Sequence, residues 1–427
     1  MKQKIKLRVI IFILCSIIKL SYALHIDYNG TFMLRTTKNE FRRDSMLNPN
    51  FALVNSYQYE YKSYLNFFTN ICFNENIDLR LKIRPYLTKI EKQDGYNSSF
   101  YIDEIYLNFY LFKNLVFSVG KQNLVRGVGL SYNPTDFFGE KKEVDTNLKK
   151  EEQRYYREGD YIIRCELFND DISFFTSLAP QIHNFQNLPT RVETGISLMF
   201  ENTDLSFSYF YSDTHKIGVN ISKTIGEKIE LHCESSYCHS TEKKLLEIKN
   251  VLGQPNSNVF EYGITQTSQQ SIKSVVGGHY TALNKTNFII EYFYNQSGYT
   301  KDEWEKFIEI IRSNKEFFVS PPEGFNPEVF KYNLSLASSL MNYGYMRQHY
   351  LFVRIWNPEV FVFDITCGML LNLEDKSFVL FPNIEYKVVK GLFSLVLNGN
   401  FLNGDKDTEF GICPVKEYYN LEFRIYF

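Results

Sequence analysis

The stretch Glu417–Phe427, EYYNLEFRIYF, decides the fold. Tyr419, Leu421, Phe423, Ile425 and Phe427 fall on one parity, and Asn420, Glu422, Arg424 and Tyr426 on the other. Successive side chains of a strand point to opposite faces, so these residues read as one strand with an oily side and a polar side.

The same two-residue period recurs along the chain. It marks Ile26–Arg35, Tyr57–Lys62, Ile77–Arg84, Glu104–Leu111, Leu115–Leu124, Tyr161–Leu167, Asp171–Leu178, Glu193–Phe200 and Leu205–Tyr211. It continues through Ile217–Ser222, Lys228–Glu234, Lys273–Tyr280, Phe288–Asn295, Leu351–Trp356, Val360–Leu370, Phe378–Val388, Leu392–Phe401 and Tyr418–Phe427, about 18 segments within a range of 16–18. Val259–Thr265 also alternates, but counting it alone inverts every later turn, so it is assigned to an outer loop.

Links from even to odd segments are short and rich in turn residues: Phe112-Lys113-Asn114, Asn169-Asp170, Glu201-Asn202-Thr203, Asn284-Lys285-Thr286, Asn357-Pro358-Glu359 and Val389-Lys390-Gly391. Phe67 to Asn76 is the longest exception. Links from odd to even segments include the long Val125–Asp160, Cys238–Ile272 and Gln296–Tyr350. Short turns on one side and long loops on the other are the habit of a bacterial transmembrane β-barrel. In the last long link, Thr300-Lys301-Asp302-Glu303 reads as a capping box ahead of Trp304, Phe307, Ile308 and Ile311 at helical spacing. This predicts a short helix within an extracellular loop spanning 297–346, packed on the barrel rim; a plug or gate is the sharper alternative.

Sorting by parity separates the chemistry. One face carries Ile77, Leu79, Leu81 and Ile83, then Ile105, Leu107 and Phe109, then Phe288, Ile290 and Tyr292. The other carries Asp78, Arg80, Lys82 and Arg84, then Glu104 and Asn108, then Glu291 and Asn295. A barrel in lipid turns the apolar face outward, where each charge at the midplane would cost roughly 2–4 kcal/mol. The predicted lumen wall holds 11 basic and 11 acidic residues, a surface that holds water without a global ion preference. Arg80, Lys82 and Arg84 make its densest basic patch, either an attractor of anions or a set of cations paired with neighbouring carboxylates.

Composition agrees. Phe and Tyr number 38 and 31 against 2 Trp, and aromatic residues make 17% of the chain. Such rings collect at the two bilayer interfaces. Charge is balanced at 47 basic against 49 acidic residues, which gives no footprint for nucleic acid. At the front, Lys2, Lys4, Lys6 and Arg8 precede the apolar run Val9–Ile18 and then Ser21-Tyr22-Ala23. Residues 1–23 therefore read as a signal peptide, and 24–427 as the barrel. The apolar run is about 10 residues, short of the roughly 20 a spanning helix needs.

Signals of chemistry are sparse. No G-x-S-x-G elbow occurs, so no catalytic residue is assigned, and no cofactor is expected. His232-Cys233…Cys238-His239 suggests metal at first sight. Parity puts Cys233 on the lipid face and His232 on the lumen face, so no metal site is assigned either.

The segment Val119–Phe138, VGKQNLVRGVGLSYNPTDFF, resembles a motif of porin-like bacterial outer-membrane barrels, among them the alginate-export family. There a strand ending G-R-Q leads through W-G-x-G to N-P-T-D. Gly120, Gln122, Gly127, Gly129, Asn133, Pro134, Thr135 and Asp136 match, while Lys121 stands for Arg and Arg126 for Trp. IIEYFYNQSGYTKDEW, from Ile289, resembles a strand end of the same barrels. The resemblance implies an 18-strand channel for passive or facilitated passage of small hydrophilic solutes in a Gram-negative outer membrane. The glycines and the Asn133–Asp136 turn suit a loop folding back over the pore. Arg80, Lys82, Arg84, Arg126, Asp136, Glu291 and Arg354 are the expected lining residues. The terminal Phe427 resembles the signal that barrel-assembly machinery reads. Expected partners are the lipid bilayer, lipopolysaccharide, that machinery and the solutes; oligomeric state is not given by the sequence. The alternatives are a closed-lumen surface receptor or adhesin, and a barrel hydrolase.

Overall fold

The computed structural model describes residues 25–53, 57–139, 142, 150–183, 186–252, 259–341 and 345–427; the signal peptide expected at 1–23 lies outside them. The described residues form eighteen strands: β1 (His25–Phe41), β2 (Tyr59–Asn74), β3 (Ile77–Ile90), β4 (Asn97–Phe112), β5 (Leu115–Gln122), β6 (Asp160–Phe168), β7 (Ile172–Ala179), β8 (Arg191–Phe200) and β9 (Thr203–Tyr211). The rest are β10 (His215–Ile225), β11 (Ile229–Leu252), β12 (Val259–Thr281), β13 (Asn287–Asn295), β14 (His349–Val360), β15 (Phe363–Asn372), β16 (Phe378–Val389), β17 (Phe393–Asn403) and β18 (Val415–Tyr426). All are antiparallel to their sequence neighbours, and β1 pairs with both β2 and β18. The sheet thus closes on itself. Closure matters because an unpaired strand edge in hydrocarbon leaves amides with nothing to bond.

The seam is the strand that opened the sequence reading. Arg35 pairs with Glu422 and Phe32 with Ile425 across it, and Gly30 and Phe427 exchange two backbone hydrogen bonds of 2.8 and 3.1 Å. Facing assignments follow parity as expected. Ile217, Leu231, Val276, Ile290, Leu397 and Leu421 are each half or more exposed on the outside. Asp78, Lys82, Asn108, Glu234, Glu291 and Glu422 are buried inside. A polar interior wrapped in an apolar exterior is the reverse of a soluble sandwich and fits a lipid solvent. Among the described residues no helix is long and apolar enough to cross a membrane.

Four expectations about connections need correction. Phe67–Asn76 is no long link: β2 runs to Asn74 and the turn is Glu75-Asn76; the apolar pair Phe67-Phe68 followed by the polar pair Thr69-Asn70 breaks the alternation and hides the strand. Val259–Thr265 is no loop piece but the start of β12, continuous through Thr281. Accordingly Cys238–Ile272 is not a loop: beyond Cys238 and Ser271, β11 and β12 go on pairing with each other as far as Leu252 and Val259. Neither pairs with another strand there, since β10 begins at His215 opposite Tyr211 and β13 ends at Asn295. The polar run Ser240–Lys244 on this projecting hairpin masked its strand character. Asn357-Pro358-Glu359 lies within β14 at a register shift, and the turn itself is Phe361-Val362.

The loop after β13 holds two helices rather than one short one. The capping box forms as expected: Thr300 Oγ1 accepts from the Glu303 amide, and the Glu303 carboxylate accepts from the Thr300 amide. It starts a helix of 19 residues, Lys301–Val319, and Asn326 caps a second, Pro327–Leu340. Trp304, Phe307, Ile308 and Ile311 of the first pack with Leu334 and Ala337 of the second. Leu246 and Tyr262 of the projecting hairpin, and Met46, Leu47 and Ile412 of neighbouring loops, complete this cluster. Trp304 Nε1 also donates to the Asp407 carbonyl at 2.8 Å. The two helices cap one rim of the barrel, and the cap's apolar core is separate from the barrel's polar interior.

Candidate functional site: an inward loop in a polar lumen

The link between β5 and β6 enters the barrel. Its course is set by buried carboxylates on the far wall. Glu234 of β11 is fully buried and accepts the amides of Val128 (2.8 Å), Gly129 (3.1 Å) and Thr135 (2.8 Å), and the Thr135 hydroxyl (2.8 Å). Glu291 of β13, also fully buried, accepts the amides of Leu130 and Ser131, each at 2.7 Å. Successive amides converging on an anion form a nest, and such charge-assisted bonds are about twice as strong as neutral ones.

The motif glycines now have a physical reason. At Gly127, φ is +94°, and a Cβ would lie 2.6 Å from both Glu234 carboxylate oxygens. Only glycine lets the wall carboxylate come this close. Asn133 donates through its side chain to the Gly129 carbonyl (2.5 Å), closing the turn. Thr135 is fully buried, and Phe137 and Phe138 pack against Phe210 of β9.

The returning half of the loop ties the first half down. Arg157 forms a two-pronged pair with Asp136 at 2.7 and 3.1 Å, and donates to Asn123 Oδ1 and the Leu124 carbonyl. Arg154, on a short helix (Lys150–Tyr155), donates to the carbonyls of Gly129 and Arg126. Arg424 of β18 meets Glu152 at 2.7 Å, and Lys82 of β3 donates to the Tyr155 carbonyl while its ammonium lies 3.3 Å from the centre of that ring. Burial pulls the guanidinium of Arg126 below its ordinary range, against the pull of Glu193 at 3.0 Å. The loop therefore touches the wall on nearly every side.

Cavities remain around it. One of about 580 Å³ lies between the loop and the strands β1, β2 and β14–β18, lined by Thr37, Asn39, Glu60, Arg354, Asn383 and Asn398 and by apolar side chains such as Phe352 and Leu402. A second of about 320 Å³ lies toward β3–β6, with Arg80, Asn108, Arg126 and Arg164 in its wall.

No family model and no curated protein sequence matches the chain. Solved structures do. It is similar to OccAB1 of Acinetobacter baumannii, at 10% identity and a TM-score of 0.53, over 94% of this chain and 96% of that one. It is similar also to OccK11 (OpdR) of Pseudomonas aeruginosa, at 9% identity and 0.52, over 94% and 95%. OccK5 (OpdH) of the same organism matches at 8% and 0.51, over 94% and 98%. The likeness is one of fold. It agrees with the porin-like barrel implied by the motif residues and carries no function by itself.

Of the expected lining residues, Arg80, Arg126 and Arg354 border cavities. Lys82 and Glu291 hold the loop instead of open water, and Asp136 is locked to Arg157. Arg84 is spent on a two-pronged pair with Asp103, both contacts 2.9 Å, and Arg80 lies 3.7 Å from Asp78. The basic patch is thus a set of paired or occupied cations, the second of its two sequence readings. Glu234, Arg154, Arg157 and Glu193 were not singled out. Parity placed Glu234 and Glu193 on the lumen face, but nothing local told which lumen carboxylates a distant loop would reach.

Proposed function

We propose that the protein is a porin-like channel of a bacterial outer membrane, passing small hydrophilic solutes by diffusion or weak facilitation. The observation that carries this is the inward loop: it narrows a polar lumen with its own backbone held by Glu234 and Glu291, and leaves cavities beside it. A loop pinned across a lumen sets a width and leaves passage to polar walls. The wall of the larger cavity mixes apolar side chains with amides and hydroxyls and carries Glu60 and Arg354 as opposite charges, which favours weak ion preference over strong selection. No catalytic step belongs to this reading. Kinship with the alginate-export family rests on the Gly120–Asp136 motif residues alone.

Purified protein in planar bilayers should give discrete single-channel steps, with cation-to-anion permeability within a few-fold of unity. A folded barrel that never conducts would overturn the channel and favour a surface role for the rim cap and its projecting hairpin.

Phe427 is proposed as part of the signal read by barrel-assembly machinery. Its backbone completes the pairing with Gly30, and its ring lies 6.5 Å from that of Phe67 on the outer face. Deleting it should lower the folded amount in the membrane several-fold, read as the heat-modifiable band on a gel. Undiminished assembly would refute that role.

A further inference from the structure

One cluster on the lumen wall does more than hold the loop. His232 of β11 and Glu291 of β13 sit on either side of β12, each directly opposite Gly277. A Cβ at Gly277 would lie 2.6 Å from Glu291 Cγ; its lack leaves the two side chains room to meet across an intervening strand. They do meet, with His232 Nε2 3.0 Å from Glu291 Oε1. His279, two residues along β12 and on the same face, sets its ring edge-on to His232 with centroids 5.1 Å apart. One donor atom from each of His232, His279 and Glu291 lies within 4.8 Å of the others.

In the same cluster Nε2 of His279 is buried without a hydrogen-bond partner, and the His232 ring beside it is only 3% exposed. Buried polar atoms are nearly always satisfied, so an orphan imidazole nitrogen beside a buried histidine–carboxylate pair points to an absent partner. Two imidazoles and a carboxylate are the donor set that suits zinc and its borderline neighbours better than calcium or magnesium.

We propose that His232, His279 and Glu291 bind a divalent transition-metal ion of the zinc class on the lumen wall. An ion there replaces the proton that His232 and Glu291 now share, and Glu291 keeps its second oxygen, Oε2, on the Ser131 amide. Three protein ligands leave a coordination position for water or a solute. Since Glu291 also accepts from Leu130, the ion is linked to the inward loop. This goes beyond the channel reading and stands whether or not the pore conducts.

The test is calorimetric titration of the tag-free, chelator-stripped barrel in detergent micelles with zinc chloride. One zinc per chain is expected, with binding weakened at least about tenfold in His232→Ala and again in His279→Ala, and unchanged in His215→Ala, whose histidine lies outside the cluster. Retained heat-modifiability of each variant shows that the barrel still folds; His279 is only partly buried, so His279→Ala serves should His232→Ala fail to fold. No saturable binding to the wild type, or equal binding to the wild type and His279→Ala, would overturn the site.

Discussion

Replacing Glu234 by alanine should raise single-channel conductance about twofold or more and make the open level noisy. The carboxylate is the acceptor for three loop amides and one hydroxyl. Each such bond to a charged group is worth about 1.5–3 kcal/mol, and the amides left behind would be buried without partners. The loop then gains by swinging toward water, which widens the passage. Glu234→Gln should fall between: it keeps the shape but offers one acceptor oxygen in place of two. Protease sensitivity within 123–159 should rise in step with conductance. Unchanged conductance and protection in Glu234→Ala would mean that Glu291, the Arg157–Asp136 pair and the Phe137–Phe138 packing suffice to hold the loop.

Glu422→Ala should be the most destabilising single change at the seam. Glu422 is fully buried and takes Arg35 Nε at 2.7 Å from β1, together with Arg424 at 2.6 and 2.8 Å from its own strand. Removing it leaves two buried guanidiniums short of their counter-charge, a loss of about 3–5 kcal/mol. Arg35 keeps Tyr64 at 2.9 Å and Arg424 keeps Glu152, so the pair is weakened rather than stripped. The urea midpoint for loss of the heat-modifiable form should drop clearly. Adding Arg35→Met should recover part of the drop, since the two residues share one network and their effects do not add. A midpoint equal to that of the wild type would show that the lumen hydrates this network well enough to replace the carboxylate.

The barrel itself was legible along the chain. Period-two alternation depends only on neighbours in sequence, and a lipid exterior with a wet interior forces every spanning strand to obey it. Each of the 18 predicted segments overlaps a strand, and Tyr418–Phe427 is the seam strand that the opening stretch suggested. The capping box at Thr300 was legible for the same reason: its bonds reach three residues. Where the hairpin of β11 and β12 leaves the bilayer, lipid no longer demands alternation, and its extension was read as a loop.

Tertiary structure alone decided what fills the lumen. Glu234 meets Thr135 across 99 residues of sequence and Arg424 meets Glu152 across 272. Eleven lumen carboxylates look alike in sequence, and which of them pins a loop, pairs a guanidinium or faces a histidine depends on strand register and on where a glycine leaves space. Gly127 and Gly277 carry that information in the fold, as places where a missing Cβ lets a distant carboxylate come close. Local pattern set the wall; contacts between segments far apart in the chain set the site.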